Sequence, residues 1–296
     1  MSNEQPGGVD QSGGWIHRVL VVGGGTMGFG IAWVSAVAGL EVSLVELDQS
    51  RREALTGAIA DRAAKHVARN PGGATVAELM SAVTVLDAIP TGTDGVIDVA
   101  VEAVPERLYL KREVLAGLAA LQPRLLGSNT SSIGISELAK DLPAPANLVG
   151  LHFFNPVWAM PLLEVVRQPE TPEPVLTDAQ TFAVCLDKEV ITVADLPGFA
   201  TSRLGVALGL EAMRMLQDGV ASAADIDRAM ELGYRHPMGP LRLTDLVGLD
   251  VRLDIARTLQ RAYGDRFAPP QILIDLVAAG HLGHKTGRGF HDWSTS

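Results

Sequence analysis

Apolar positions fall in short continuous runs through the first two thirds of the chain and at helical spacing through the last third. Val19–Val22 reads as a buried strand, Thr26–Ala38 as a helix and Glu41–Glu46 as a second strand. Gln49–Arg69 is a long helical stretch stopped by Asn70-Pro71-Gly72-Gly73, and Thr75–Met80 follows as a short helix. Val83–Leu86, Val96–Glu102, Leu125–Asn129 and Leu148–Phe154 read as later strands, with a helix over Pro105–Leu121 and a further apolar run over Pro161–Val166. Strands alternating with helices predict an α/β fold with a mostly parallel sheet covered on both faces.

The pattern changes at Asp195-Leu196-Pro197-Gly198. Beyond it, Leu204, Ala207, Leu208 and Met215 recur at helical spacing, and Ser222 is placed to cap a helix over Ile226–Leu232. Pro237-Met238-Gly239-Pro240 punctuates, and Leu241–Tyr263 and Pro270–Ala279 read as helices, with no strand after about residue 195. The expected division is a disordered tail over 1–15, an α/β domain over 16–196 and an all-helical domain over 197–296.

Composition narrows the partners. Lys plus Arg number 24 against 34 Asp plus Glu, a formal net charge of −10, which speaks against general binding to nucleic acid or to an anionic membrane. Val19–Leu40 is uncharged and long enough to span a bilayer, but glycines at 23, 24, 25, 28, 30 and 39 make it a strand, turn and helix instead. The first fifteen residues contain no Lys or Arg, so they lack a signal-peptide start. The one cysteine, Cys185, suits a reducing compartment, and a cytoplasmic protein is expected.

Gly23-Gly24-Gly25-Thr26-Met27-Gly28 holds Gly-x-Gly-x-x-Gly between a predicted strand and a predicted helix, the context in which that pattern binds a dinucleotide. Gly23 allows the tight turn, Gly25 lets a pyrophosphate approach the backbone, and Gly28 lets the helix pack on the strand. The helix N-terminus offers free N–H groups to phosphates. Glu46, ending the second strand, is placed to accept the ribose hydroxyls of NAD and to repel a 2′-phosphate, although Arg51 and Arg52 leave some NADP use open. A glycine turn without ligand is the alternative.

His152 lies on one apolar run and Glu164 on the next, joined by a short connection through Asn155-Pro156. Side by side, the carboxylate would fix the imidazole tautomer and stabilise the imidazolium, as proton transfer to or from a hydroxyl requires. On spacing alone, a core histidine satisfied by backbone with Glu164 in solvent is an equal reading. His17, His66, His281, His284 and His291 read as surface residues, and no metal site is expected. Arg62, Lys65, His66 and Arg69 share a helix face, which is either a solvated charged face or a phosphate-binding one.

These motifs stand together with Val101-Glu102-Ala103-Val104-Pro105-Glu106, Ser128-Asn129-Thr130-Ser131-Ser132, His152-Phe153-Phe154-Asn155-Pro156, Pro197-Gly198-Phe199, Pro237-Met238-Gly239-Pro240, Asp245-Leu246-Val247-Gly248-Leu249-Asp250 and Lys285-Thr286-Gly287-Arg288-Gly289-Phe290. In that order and spacing, over about residues 17 to 293, the chain resembles the L-3-hydroxyacyl-CoA dehydrogenases, including bacterial 3-hydroxybutyryl-CoA dehydrogenases. The resemblance implies a Rossmann-type domain, a helical domain through which the family dimerises, NAD as cofactor and a short acyl-CoA as substrate. It implies His152 as catalytic base and Glu164 as its partner. Glu106, Lys111, Asn129, Asn155 and Lys285 match cofactor-site positions, and Lys65 matches a coenzyme A contact. Ser131 matches a substrate-binding hydroxyl, whereas from the residues alone it reads as a helix cap. The family has Asn beside the catalytic His where this chain has Ser202, which leaves open a non-CoA hydroxy acid such as L-gulonate or carnitine, or a carrier-protein substrate. A nucleotide-binding protein without turnover is a more distant alternative.

Overall fold

The computed structural model describes residues 14–91 and 96–294. Residues up to Asp195 form one compact unit and those from Leu196 another. In the first unit, β1 (Arg18–Val22), α1 (Thr26–Val37), β2 (Glu41–Val45), α2 (Gln49–Arg69), α3 (Val76–Ser81) and β3 (Val83–Leu86) are followed by β4 (Val99–Glu102), α4 (Leu108–Ala120), β5 (Leu125–Ser128) and α5 (Ile135–Ala139). Then come β6 (Leu148–Phe153), β7 (Leu162–Arg167), α6 (Glu173–Cys185) and β8 (Glu189–Ala194).

The strands form one sheet in the order β3-β2-β1-β4-β5-β6-β7-β8. Every neighbouring pair is parallel except β6 and β7, which run antiparallel. β1, β4, β5 and β6 are buried along nearly their whole length, as strands covered on both faces must be. Val19, Val21, Val99, Val101 and Leu151 of the sheet pack with Ile31 and Trp33 of α1 and with Phe182 of α6. Chain order reverses between β1 and β4, where an open α/β sheet forms a crevice at its carboxyl edge.

The second unit is helical: α7 (Thr201–Gln217), α8 (Ala223–Tyr234), α9 (Pro240–Val247), α10 (Leu249–Tyr263) and α11 (Gln271–Ala278). Val206, Leu210 and Met213 of α7 share a core with Leu253, Ala256 and Leu259 of α10, and with Ile226, Leu241 and Leu273. Ser222 caps α8 by accepting from the Asp225 amide.

Several expectations are corrected. Leu241–Tyr263 is two helices, because Gly248 at φ +104° breaks the α-helical path. The strand expected from Val96 begins at Val99; Asp98 instead accepts from the His17 and Arg18 amides. The helix expected from Pro105 begins at Leu108, leaving Glu106 in the turn before it. α6 and β8 lie where no element was predicted. Of the expected tail, residues 1–13 lie outside the described residues, and Trp15 is packed, with the Arg124 guanidinium 4.0 Å from its ring centroid. Arg124 in turn forks onto Asp178 at 2.9 and 2.7 Å.

His291 is not a free surface residue. Its Nε2 lies 2.7 Å from Asp227, which also accepts the Leu241 and Arg242 amides at the start of α9. The Asp227 carboxylate holds the His291 imidazolium above its ordinary range. Stability from this pair is therefore complete below the unfolded value near 6.5 and is lost as pH rises through the higher folded value. His291→Asn should lower urea-unfolding stability at pH 5.5 by roughly 1–2 kcal/mol, and the gap to the unsubstituted protein should narrow by pH 8.5. A gap that is constant across this range would show that the pair does not titrate with folding.

Candidate active site

The glycine loop leaves β1 at the crevice. Gly23 sits at φ +112°, and a Cβ there would lie 2.6 Å from the Ala103 carbonyl oxygen. A Cβ on Gly28 would lie 1.8 Å from the Gly23 carbonyl oxygen, so helix and loop approach as only glycine allows. A Cβ on Gly25, by contrast, would meet nothing within 4 Å. Gly25 is also the N-cap of α1 and gives it no side-chain cap, so the first-turn amides, from Thr26 and Met27 onward, face that open side.

Glu46 fixes the loop from β2. One carboxylate oxygen accepts from the Gly24 amide at 3.1 Å and the other from Asp48 at 3.0 Å. Arg52 donates to the Glu46 and Leu47 carbonyls, which turns that guanidinium onto backbone. An open glycine cradle, an uncapped helix N-terminus and a carboxylate at the second strand end together fit the pyrophosphate and ribose of NAD.

His152 and Glu164 face each other across the one antiparallel pairing. They are register partners on β6 and β7, and His152 Nδ1 lies 2.8 Å from a Glu164 carboxylate oxygen. Glu164 is 0% exposed, which excludes the reading that places it in solvent. Asn129 accepts the Phe153 amide at 3.0 Å, tying the end of β5 to the residue after His152. Asn155 is exposed just beyond β6. Lys188 donates to the Val157 and Met160 carbonyls at 2.7 and 2.8 Å and so fastens the β6–β7 connection.

A buried ionic chain holds the Ser131 turn. Glu102, at the end of β4, takes the Lys111 ammonium at 2.9 and 3.1 Å and the Ser128 hydroxyl at 2.5 Å. Lys111 also reaches Glu106 at 3.2 Å and the Val104 carbonyl at 3.1 Å. Lys111 is 1% exposed and saturated with these partners, so it does not line the cofactor crevice as the resemblance implied; it holds Glu106. Glu106 then accepts the Thr130 hydroxyl at 2.6 Å and the Ser131 and Ser132 amides, each at 3.0 Å. Burial pushes the Glu106 carboxyl up, but Lys111 and the hydroxyl donors outweigh it and leave the group below its ordinary range.

Ser131 is not a helix cap. The N-terminus of α5 is capped by Asp195, whose carboxylate accepts the Ile135 and Ser136 amides at 2.8 Å each and pairs with the Ser136 hydroxyl. The basic helix face divides as well. Lys65 and Arg69 are exposed, while Arg62 stacks over Trp158 at 3.9 Å and His66 packs on Trp33. Ser202 and Lys285 belong to the helical unit. Ser202 is in the first turn of α7, and Lys285 is paired with Asp250 at 2.6 Å.

Glu102, Thr130, Lys188 and Asp195, which hold these turns and strands in place, are not among the candidate site residues read from the sequence. Glu102 had a signal there, a carboxylate ending an otherwise apolar strand. No group of His, Cys, Asp and Glu suited to a metal ion occurs among the described residues. A hollow of about 640 Å³, lined by Arg18, Glu41, Ser43 and Thr84 among others, lies at the amino ends of β1 and β2, away from these groups.

Comparison with known proteins gives two family matches in succession. Residues 18–196 match the family model described as 3-hydroxyacyl-CoA dehydrogenase, NAD binding domain, and residues 198–293 match its C-terminal domain. The chain is 40% identical over 287 residues to a 3-hydroxybutyryl-CoA dehydrogenase of Mycobacterium tuberculosis, covering 94% of this chain and 99% of that one. It is 36% identical to a probable 3-hydroxybutyryl-CoA dehydrogenase of Bacillus subtilis, covering 94% and 98%. Among solved structures, the (S)-3-hydroxybutyryl-CoA dehydrogenase of Ralstonia eutropha superposes with a TM-score of 0.87 at 34% identity, covering 95% of this chain and 100% of that one. A diketoreductase superposes with a TM-score of 0.80 at 27% identity, covering 94% and 99%.

The two glycines should separate fold from binding. Gly28→Ala should lower Tm by about 2–12 °C, as overpacking of roughly 1–3 kcal/mol would in a unit of this size. Gly25→Ala should leave Tm unchanged while weakening NADH binding, read by fluorescence titration, at least about tenfold, or 1.4 kcal/mol. Unaltered NADH affinity in Gly25→Ala would mean the open side of this loop is not the phosphate site.

Proposed function

Because this chain belongs to the 3-hydroxyacyl-CoA dehydrogenase family, we propose that it interconverts a short-chain L-3-hydroxyacyl-CoA and the 3-ketoacyl-CoA. The observation that carries this reading is the buried His152–Glu164 pair, set 2.8 Å apart by strand register. NAD, held by the Gly23–Gly28 loop, the N-terminus of α1 and Glu46, supplies the hydride acceptor when bound.

The protein's own part is the proton. Glu164 accepts Nδ1–H and so keeps the Nε2 lone pair in place as the base. Nε2 takes the 3-hydroxyl proton as the C3–H bond gives up its electron pair and the carbon–oxygen double bond forms. The imidazolium that results stands against a carboxylate in a site of low polarity, where that charge pairing is strong. The Ser131 hydroxyl donates to the substrate oxygen, on a turn held rigid by three Glu106 contacts. Lys65 and Arg69 are exposed cations on α2, suited to the phosphates of coenzyme A.

The protein acts as a homodimer through the helical unit, which exposes Leu204, Leu208 and Val251. We place it in the cytoplasm; no helix among the described residues is long and apolar enough to cross a membrane. A second reading, reduction of a non-CoA carbonyl compound, draws on Ser202 and on the likeness to a diketoreductase.

Loss of NADH absorbance on adding acetoacetyl-CoA tests the reading. Turnover with acetoacetyl-CoA and little with free acetoacetate is expected. His152→Ala should reduce kcat by roughly 10²–10⁴-fold, and Glu164→Gln should reduce kcat with little change in NADH affinity. Turnover of free acetoacetate but not of its thioester would transfer support to the non-CoA reading.

A further inference from the structure

Trp158 stands midway along the connection that joins the two strands of the acid–base pair, six residues after His152 and six before Glu164. Three elements of the sheet unit grip that connection. Val157 packs against Gly30 of α1, where a Cβ would lie 2.6 Å from a Val157 methyl carbon. Lys188 holds the Val157 and Met160 carbonyls. From α2, the Arg62 guanidinium lies over the Trp158 ring, 3.9 Å from its centroid. Trp33 of α1 flanks the same guanidinium at 5.9 Å, and Phe29 meets the Trp158 ring edge-on at 6.3 Å.

Aromatic planes hold Arg62 where no counter-charge does. Its Nε is buried without a hydrogen-bond partner among the described residues. Among those residues no carboxylate forms an ion pair with Arg62, Lys65 or Arg69. The three cations share one face of α2, at i, i+3 and i+7. Like charges so spaced repel one another, and a bound polyanion relieves that repulsion. Lys65 and Arg69 are exposed, whereas Arg62 is half-buried and turns inward onto Trp158. One side chain therefore joins the anion-facing surface of α2 to the backbone between His152 and Glu164.

We propose that Arg62 is a positioning residue: its stack on Trp158 fixes the basic face of α2 to the His152–Glu164 connection, so that a phosphate-bearing carrier held at Lys65 and Arg69 presents its acyl group at one set distance from the pair. The inference rests on the acyl-CoA reading above and assigns how the carrier's grip is tied to the reacting groups. A planar guanidinium on an indole at a partly exposed site contributes about two- to fivefold in affinity, equivalent to roughly 0.5–1 kcal/mol. That contribution is realised only with substrates whose carrier reaches α2.

The test compares acetoacetyl-CoA with acetoacetyl-pantetheine, the same thioester without the nucleotide phosphates. Arg62→Met should raise KM for the CoA thioester about two- to fivefold with little change in kcat, and give no comparable rise for the pantetheine thioester. A merely structural role would move both substrates alike. Trp158→Leu should reproduce the Arg62→Met effect, and the double variant should be no worse than either single one, because both remove the same contact. Arg62→Lys, which keeps the charge but not the plane, should fall between Arg62→Met and the unsubstituted enzyme. Equal losses with the two thioesters, full rescue by Arg62→Lys, or losses that add in the double variant would overturn the positioning role; the last two would make Arg62 one more phosphate contact. If Arg62→Met fails to fold, Arg62→Lys and Trp158→Phe carry the same comparison, with smaller rises confined to the CoA thioester. If neither thioester is reduced, the acyl-CoA reading alone falls, and calorimetric titration with CoA still tests the stack. Arg62→Met and Trp158→Leu should each weaken CoA about two- to fivefold and leave NADH affinity unchanged. CoA affinity that is unaltered in both variants, or absent from the unsubstituted protein, would overturn the inference.

Discussion

The single antiparallel pairing of β6 with β7 is the constraint on which the chemistry depends. In a sheet otherwise built from parallel pairs, neighbouring strands connect through long crossovers. The reversal brings two consecutive strands together through a short connection and sets residue against residue by register. A slip of one position would turn His152 and Glu164 to opposite faces of the sheet. Flanking pairs such as Leu151 with Val165 and Phe153 with Leu163 are buried, so any slip would also carry apolar side chains out of the core. The pair is held by the hydrophobic pattern around it more than by its own hydrogen bond.

A second chain of charges does comparable work for the turn at Ser131. Two carboxylates, Glu102 and Glu106, share one ammonium, Lys111, in an interior position. Such a cluster is costly to desolvate and unreliable as a source of stability. Its effect is directional: Glu102 anchors Lys111, Lys111 anchors Glu106, and Glu106 gathers the Thr130–Ser132 donors. Side-chain placement there is passed from the end of β4 to the turn beyond β5, beside the direct main-chain pairing of the two strands.

Much of this was legible in the residue pattern. α2 and β3 run over the residues the pattern named, and the glycine loop falls between strand and helix. The apolar runs around His152 and Glu164 foretold two adjacent strands, though the antiparallel register that decides between core histidine and acid–base pair is a tertiary fact. β8 escaped notice because it is an edge strand with mixed exposure and little apolar periodicity. The break at Gly248 was hidden by helical spacing that continues across it. Lys111 was read as a cofactor-site position from the resemblance; only packing reveals that it is buried among Glu102, Glu106 and the Val104 carbonyl.

Asp195 ends the sheet unit while capping α5, and that double position has a mechanical consequence. The Thr130–Ile133 turn is closed by the Thr130 side chain immediately before α5. Tension on the chain beyond Asp195 would be delivered through two carboxylate–amide bonds to the first turn of α5, and from there to the neighbouring turn that carries Ser131. Asp195 is thus fastened to the backbone immediately beyond the turn that carries Ser131.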